Sequence, residues 1–299
     1  SFESMKNILE IKDLIVGIDS KPPTWILREA NLSIGEGQIV GLVGESGAGK
    51  TMVSRVILGF TPEGSRVFGG EIHFCGSKIS DLNRDSRPFL LGKEVTYIPQ
   101  NPMTALNPVQ RINDQMTDVL IRYLQLKPRD ATKRAVSLLS EVQIHDPEKV
   151  LKLYPHQLSG GMRQRVLIAI AFACNPSLVI ADEPTTALDV TVQKEILGLI
   201  KRMQSSHGTS MLFISHDLGV VSKICDVVNV MYGGQVLETQ EADALFSNPS
   251  HVYTKALLSA TPRYDRPGDL LEPVSDRLVT EMGNTILSWD KRAEACFYK

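Results

Sequence analysis

The sequence "GLVGESGAGKT", from Gly41 to Thr51, places four glycines and one lysine directly after an apolar run. Glycine is the ordinary residue where the backbone takes positive φ, so a tight turn alone would explain the glycines. A turn does not explain Lys50 and Thr51 at the end of the stretch. Residues 44–51 fit the pattern GxxxxGK[ST], which binds phosphate when a strand precedes it and a helix follows it.

The flanking sequence predicts that strand and that helix. "ANLSIGEGQIVGLVG" (30–44) reads as a strand, a tight Gly-Glu-Gly turn and a buried strand, and "MVSRVILGF" (52–60) has apolar residues at helical spacing. In such a loop, backbone N–H groups surround phosphate oxygens at the positive end of the helix dipole. Lys50 would neutralise the terminal phosphates, and Thr51 would offer its hydroxyl to Mg²⁺. The predicted nucleotide-binding residues are Gly44, Glu45, Ser46, Gly47, Ala48, Gly49, Lys50 and Thr51.

The stretch "LVIADE" (178–183) is an apolar strand that ends in two carboxylates. It would carry Asp182 to the carboxyl edge of a parallel sheet, where ligands collect in such folds. We expect Asp182 to hold Mg²⁺ through water and Glu183 to polarise the attacking water. Two adjacent acids at a strand end are also typical of a solvated helix cap, but the phosphate loop favours the catalytic interpretation. Together the two stretches indicate a P-loop nucleoside triphosphatase.

Strands alternate with helices along most of the chain, which predicts a mainly parallel sheet covered on both faces. "ILEIKDLIVGI" (8–18) alternates like a half-buried strand, and "GGEIHFCGSKI" (69–79) reads as a hairpin. The predicted organisation is a nucleotide-binding core with a β subdomain, a helical insertion and a C-terminal extension. We assign the core to 5–100 and 166–240, the insertion to 101–165 and the extension to 241–299, and we take 1–4 as a cloning remnant because Met5 begins a plausible native sequence.

Charge and composition narrow the class of protein. The 32 basic and 34 acidic residues give a net charge of −2, so no global positive field favours a nucleic-acid partner. Apolar runs fall short of the roughly 20 residues that span a bilayer, so a membrane role requires partners that supply the spans. Four cysteines without CxxC spacing indicate reduced thiols in a cytoplasmic protein.

The stretch "LSGGMRQRVLIAIAF" (158–172) resembles the signature of the ATP-binding cassette family. In the same order as in that family, Gln100 stands at the Q-loop position, residues 186–189 match the D-loop, and His216 falls at the switch position. The resemblance covers nearly the whole chain. It implies a RecA-like P-loop core with an N-terminal antiparallel β subdomain and a helical subdomain, and it implies ATP hydrolysis.

The resemblance also implies roles for individual residues. Ser159, Gly160 and Gly161 would bind the γ-phosphate of ATP held by the opposite subunit, and their hydroxyl and bare amides suit an anion at a helix N-terminus. Asp189 would contact the shared nucleotide. Gln100 would serve both the metal and catalysis, and His216 would be catalytic, although a single histidine after a strand is more often structural.

Two positions depart from the family pattern. Ile18 stands where the family usually stacks adenine on an aromatic residue; nearby Trp25 could take that role or could belong to the core. Many relatives bind an iron–sulfur cluster near the C-terminus, which needs about four thiolates. Only Cys296 lies beyond Cys225, so we predict no cluster.

Two further segments resemble the dipeptide, oligopeptide and nickel importer ATPases: "NPMTALNPV" (101–109) and "SNPSHVYTKALLSATP" (247–262). This resemblance implies an ATPase subunit at the cytoplasmic face of the membrane, with transmembrane permease subunits, a second ATPase subunit of the same or a related chain, and indirectly a solute-binding protein. The alternative is a non-transport cassette ATPase of DNA repair or translation. Long coiled-coil insertions or a second cassette would favour it, and the sequence has neither. The segment 101–109 argues against an exporter.

Overall fold

The computed structural model describes residues 6–79, 91–186, 188–261 and 273–297. The proposed remnant 1–4, Ala187 of the D-loop stretch and the proline-rich part of the tail at 263–272 lie outside the described residues. The chain divides into two compact units. The first comprises the described residues up to 79 and from 213 onward, and the second comprises those from 91 to 212.

The first unit contains the antiparallel sheet. Its strand order is β2-β1-β4-β5, with β1 at Asn7–Ile18, β2 at Thr24–Gly35, β4 at Ser65–Phe74 and β5 at Ser77–Lys78. The alternating sequence of β1 buries Leu9 and Ile11 on one face, and Ile11 lies opposite Leu32 and Ile72 on the neighbouring strands. The predicted hairpin is confirmed, because β4 and β5 pair directly.

A second set of strands in the first unit carries the phosphate loop. Strand β3 (Ile39–Val43) is buried at every residue and runs parallel to β9 (Val227–Tyr232), which pairs antiparallel with β10 (Gln235–Glu241). Gly41 is required inside β3, because a Cβ there would lie 2.9 Å from the Val221 side chain. The helices of this unit are α1 (Lys50–Ile57), α8 (Leu218–Ile224), α9 (Ala242–Ser247), α10 (Val252–Ser259) and α11 (Asp276–Phe297).

The second unit is mainly helical around one parallel strand pair. Strands β6 (Val95–Ile98) and β7 (Leu178–Asp182) run parallel, with Tyr97 opposite Ile180. Pro128 and Pro147 occupy first-turn positions of two helices, where a missing N–H costs nothing. The helices are α2 (Pro102–Ala105), α3 (Ile112–Leu124), α4 (Pro128–Glu141), α5 (Pro147–Leu151), α6 (Gly160–Phe172) and α7 (Val190–His207), and the division between the units falls within β8 (Ser210–Ser215).

None of the helices in the described ranges combines the length and the apolar character needed to span a bilayer. The longest, α11, is amphipathic and packs into the first unit through Trp289 and Ala293. This helix was not predicted from the sequence.

Candidate active site

The phosphate loop has the backbone that its glycines predict. Gly44, Gly47 and Gly49 have φ of 154°, 83° and 102°, which L side chains rarely adopt. A Cβ at Gly44 would collide with the Met231 carbonyl oxygen, and one at Gly49 would lie 2.9 Å from Leu27 Cδ2. The loop therefore packs against its own unit with no room for side chains at these two positions.

Lys50 begins helix α1 and folds back over the loop. Its side chain is buried, and Nζ donates to the carbonyl oxygens of Gly44 at 2.7 Å and Glu45 at 2.9 Å. Thr51, the next residue, is exposed at the first turn of the helix. The ammonium and the hydroxyl therefore flank the loop at the N-terminal end of α1, as a phosphate-binding loop requires.

Asp182 ends strand β7 and is 3% exposed. Tyr97 Oη donates a hydrogen bond of 3.2 Å to Asp182 Oδ2. Tyr97 was not among the residues predicted from the sequence. The available signal was its place three residues before Gln100, at the end of a strand that could pair in parallel with "LVIADE".

Glu183 follows Asp182 and holds two hydrogen bonds on one carboxylate oxygen. Oε2 accepts from Gln100 Nε2 at 2.9 Å and from Thr186 Oγ1 at 3.0 Å. The backbone of Glu183 is left-handed, with φ of 47°, a strained conformation for a non-glycine residue. The structure thus brings the predicted base and the Q-loop residue together within one unit, and it adds Thr186, which the sequence analysis had placed only in the D-loop stretch.

The signature stretch begins helix α6. Ser159 is the N-cap residue and its Oγ accepts from Met162 N at 3.2 Å, which leaves its O–H as a donor. Ser159 and Gly160 are exposed. A Cβ at Gly161 would lie 3.1 Å from Val192 of α7, so glycine permits this close approach.

Asp189 caps α7, accepting from Val192 N at 3.0 Å. The signature glycines and the D-loop aspartate are therefore neighbours in the second unit. His216 belongs to the first unit, where it follows β8 directly and is exposed. Asp217 N donates to Ser215 Oγ at 3.0 Å in the same short link, and its side chain caps α8. His216 is thus not a buried core histidine.

Three predicted metal ligands offer oxygen donors of the hard kind that Mg²⁺ prefers. They are the Thr51 hydroxyl, the Asp182 carboxylate and the Gln100 side-chain carbonyl oxygen. Gln100 turns its nitrogen toward Glu183, so its oxygen is the atom with metal-ligand chemistry. The donor set fits the ion.

Trp25 belongs to the core. It is 5% exposed and meets Phe68 and Trp289 edge-on, with ring centroids 4.8 Å and 5.7 Å away. Its ring is therefore covered on these sides by protein. Ile18 ends strand β1 and is 40% exposed.

The four cysteines are thiols at separate places in the structure. Cys75 and Cys296 are exposed, whereas Cys174 and Cys225 are buried. Burial raises the pKa of the Cys174 thiol to about 11.

Two family models match the sequence. The model described as "ABC transporter" matches residues 27–186, and the model described as "Oligopeptide/dipeptide transporter, C-terminal region" matches residues 237–286. The first match includes the phosphate loop and the signature stretch. The second includes the tail segment that follows β10.

Curated relatives agree with both matches. The chain is 44% identical to the oligopeptide transport ATP-binding protein OppD of Bacillus subtilis over 264 residues, which is 88% of this chain and 74% of the relative. It is 44% identical to AppD of the same organism over 278 residues, with 92% and 85% covered. It is 39% identical to the dipeptide transport ATP-binding protein DppD of Escherichia coli over 303 residues, with 94% and 93% covered.

Solved structures confirm the predicted fold class. The dimeric ATP-binding cassette MJ0796 bound to ADP and Pi is 25% identical, with a TM-score of 0.69 over 78% of this chain and 98% of that chain. The cbiO1 subunit from Clostridium perfringens is 26% identical, with a TM-score of 0.70 over 81% of this chain and 91% of that chain. The chain belongs to the ABC transporter family, within its dipeptide and oligopeptide transport ATP-binding proteins.

Proposed function

We propose that this ATPase powers the uptake of dipeptides or oligopeptides through transmembrane permease subunits at the cytoplasmic face of the membrane. The observation that carries the proposal is the joint match of residues 27–186 to the cassette and of residues 237–286 to the peptide-transporter C-terminal region. A cassette of DNA repair or translation would account for the first match alone. Peptide cargo rests on the second match and on the relatives named above.

The phosphate loop binds the nucleotide through its amides and Lys50. Residues 44–49 supply backbone N–H groups at the start of α1, and Lys50 carries its ammonium across the same loop. An incoming triphosphate replaces the Gly44 and Glu45 carbonyls as the partner of Nζ, because a charged phosphate oxygen is the stronger acceptor. The base contact is assigned to neither Ile18 nor Trp25.

Hydrolysis requires a base, and Glu183 takes this role. A water oxygen attacks the γ-phosphorus, its proton passes to the Glu183 carboxylate, and the bond from phosphorus to the ADP oxygen breaks. Gln100 and Thr186 fix the carboxylate through Oε2. His216, exposed at the end of β8, donates to the γ-phosphate.

Mg²⁺, when bound, neutralises the charge that develops on the phosphoryl oxygens. Thr51, Asp182 and Gln100 would hold it. Tyr97 would orient the Asp182 carboxylate by donating a hydrogen bond to Oδ2. No iron–sulfur cluster forms part of the proposal.

A second ATPase subunit completes each site. Ser159, Gly160 and Gly161 present a hydroxyl and bare amides at the N-terminus of α6, and Asp189 lies beside them. We assign these groups to the γ-phosphate of ATP held by the partner subunit, either an identical or a related chain. The dimeric state of MJ0796 bound to ADP and Pi supports this arrangement by analogy.

The permease contacts the segment 101–109. Met103 is 60% exposed and Val109 is 79% exposed, so this segment presents apolar side chains that a partner protein would cover. Asn101 caps α2 by accepting from Met103 N, and Arg163 of the signature helix reaches the Met103 sulfur. Movement of the permease would therefore act on the helix that carries Ser159.

A solute-binding protein acts on the permease, and nucleic acid has no part in the cycle.

The experiment is reconstitution of the chain with its permease subunits and a solute-binding protein in proteoliposomes. We expect ATP-dependent uptake of labelled di- or oligopeptides, abolished by Glu183→Gln in the ATPase. Uptake of nickel without peptide, or ATPase activity stimulated by DNA or ribosomes in place of the permease, would contradict the peptide assignment.

A further inference from the structure

The Gly233–Gly234 turn joins β9 to β10 and lies against the phosphate loop. Gly234 N donates to the Ala48 carbonyl oxygen at 2.9 Å, and the Gly234 carbonyl accepts from Arg28 N at 2.9 Å. A Cβ at Gly234 would collide with the Ile26 carbonyl oxygen, so the turn also sits tightly on β2. The position of Ala48 in the phosphate loop thus depends on the position of this turn.

Arg28 fixes the same turn with its side chain. It is 8% exposed, and Nη1 donates to the Gly233 carbonyl oxygen at 2.7 Å. Two further side-chain hydrogen bonds go to Asp290 of helix α11: Nε donates to Oδ1 at 2.6 Å and Nη2 to Oδ2 at 3.0 Å. A guanidinium held at both ends in this way is oriented by the carboxylate toward the turn.

Helix α11 rests directly on the turn. A Cβ at Gly233 would lie 2.7 Å from Ile286 Cδ1, so the helix and the turn are in close contact. Trp289 and Ala293 are buried against Trp25 and Ile15 in an apolar cluster, and the Arg28 guanidinium lies 5.9 Å from the centroid of the Trp289 ring. The apolar cluster alone could dock the helix, whereas the Arg28–Asp290 pair reaches beyond it to the backbone that supports the phosphate loop.

We propose that Arg28 and Asp290 are positioning residues for the phosphate loop, and that docking of α11 is thereby coupled to nucleotide binding. The inference rests on the nucleotide binding assigned above to residues 44–51. Without the Asp290 carboxylate, the guanidinium is left desolvated and loses its orientation. The Gly233 carbonyl then loses its donor, and the turn no longer holds the Ala48 carbonyl in one place.

Tryptophan fluorescence can report the docking of helix α11 without an added label. Its two tryptophans are Trp25 and Trp289, and both lie in the α11 contact. Intrinsic fluorescence therefore reports the docking of this helix. Because coupling between two equilibria is reciprocal, nucleotide that favours the ordered loop must also favour the docked helix.

The test compares Asp290→Asn with Asp290→Glu and with the matched control Asp276→Asn, an exposed aspartate at the start of the same helix. For each full-length variant, the dissociation constant of a non-hydrolysable ATP analogue with Mg²⁺ is measured by calorimetry, together with the melting temperature without nucleotide. We expect the dissociation constant to rise about fivefold or more in Asp290→Asn. Asp290→Glu should restore part of the affinity, and Asp276→Asn should match the wild type.

In the wild type, saturating analogue should reduce acrylamide quenching of the two tryptophans. A dissociation constant within twofold of the wild type in Asp290→Asn overturns the proposal. If only the melting temperature falls, the Arg28–Asp290 pair stabilises the fold without affecting nucleotide binding. The proposal is also overturned if the analogue leaves acrylamide quenching unchanged. This quenching measurement on the wild type tests the proposal even if Asp290→Asn does not fold. A wild-type protein that binds no ATP would instead contradict the proposed function itself.

Discussion

The side-chain nitrogen of Gln100 lies 2.9 Å from Oε2 of Glu183 and donates a hydrogen bond to it. A residue two positions beyond β6 thus holds the carboxylate that follows β7. Gln100 directly precedes the segment 101–109, whose Met103 and Val109 are exposed. In the proposed cycle, displacement of that segment by a permease would turn the Glu183 carboxylate. In the proposed cycle, this contact would link movement of the permease to the orientation of the proposed base.

Replacing Glu183 by glutamine should separate binding from hydrolysis. The amide cannot take a proton from water, so phosphate release should fall by about 10²–10⁴-fold while ATP still binds. Phosphate release and the dissociation constant for ATP are measured in parallel. Glu148→Gln, at an exposed helix start in the second unit, is the control and should behave as the wild type. Near-normal turnover in Glu183→Gln would remove Glu183 from the role of base.

Mixing two inactive variants, Lys50→Ala and Ser159→Arg, should restore part of the activity. In a mixed dimer both lesions fall in one composite site and the other site keeps its own Lys50 and the partner's Ser159. An equal mixture should reach about a quarter of the wild-type rate, since about half of the dimers are mixed and each retains one intact site. The ATPase rate is measured after the dimers are allowed to exchange subunits.

Mixed dimers that form and stay inactive would contradict independent shared sites. A full rate per chain from a proven monomer would contradict the shared site itself. Each variant alone, at the same total concentration, gives the baseline.

Glu238 makes stability depend on pH. Burial acts to raise its pKa, but the net shift is downward, because hydrogen bonds from the Thr254 side chain, from the backbone N–H groups of Ser250 (2.6 Å) and His251 (3.1 Å), and from the Ser250 side chain together outweigh burial. A lowered folded-state pKa stabilises the protein above the unfolded value, about 4.3, and this contribution is lost as the pH falls through the folded value. Thermal melts from pH 7 down to about pH 3 should therefore show a falling melting temperature.

Glu238→Gln should destabilise the protein at neutral pH by about 1–3 kcal/mol and flatten the pH dependence in that acidic range. Glu241→Gln, at the exposed end of the same strand, is the matched control. If the melting temperature of Glu238→Gln falls with pH as steeply as that of the wild type, another titratable group causes the pH dependence.

The cysteines should behave as isolated thiols. Exposed Cys75 and Cys296 should react with a thiol reagent in the native protein, and buried Cys174 and Cys225 only after unfolding. The raised pKa of Cys174 further lowers its reactive thiolate fraction. Anaerobically purified protein should contain no stoichiometric iron and show no charge-transfer absorption. Several equivalents of iron and sulfide per chain would contradict this.

The sequence predicted what is local and missed what depends on long-range pairing. The phosphate loop is one continuous segment, so the pattern of its glycines and Lys50 predicts it without information from the rest of the chain. Tyr97 and Thr186 were missed as hydrogen-bond donors to Asp182 and Glu183. The contact of Tyr97 exists only because β6 and β7 pair in parallel.

Helix α11 was missed for a related reason. Its apolar positions include Trp289 and Ala293, and their meaning depends on the surface formed by Trp25 and Ile15. The ion pair that anchors the helix joins residues 262 positions apart. No window of sequence contains both Arg28 and Asp290, so local patterns could not indicate that the C-terminal helix reaches the turn beside the phosphate loop.

The backbone of Glu183 is left-handed, with φ of 47°, so its proposed role as the base and the stability of the fold make opposite demands on this position. Holding a non-glycine residue there costs about 1–3 kcal/mol, which the rest of the structure must offset. Asparagine and glycine adopt this conformation more readily, but neither can accept the proton from water. A lineage released from transport should therefore drift toward glycine or asparagine at this position, losing turnover as the fold becomes more stable.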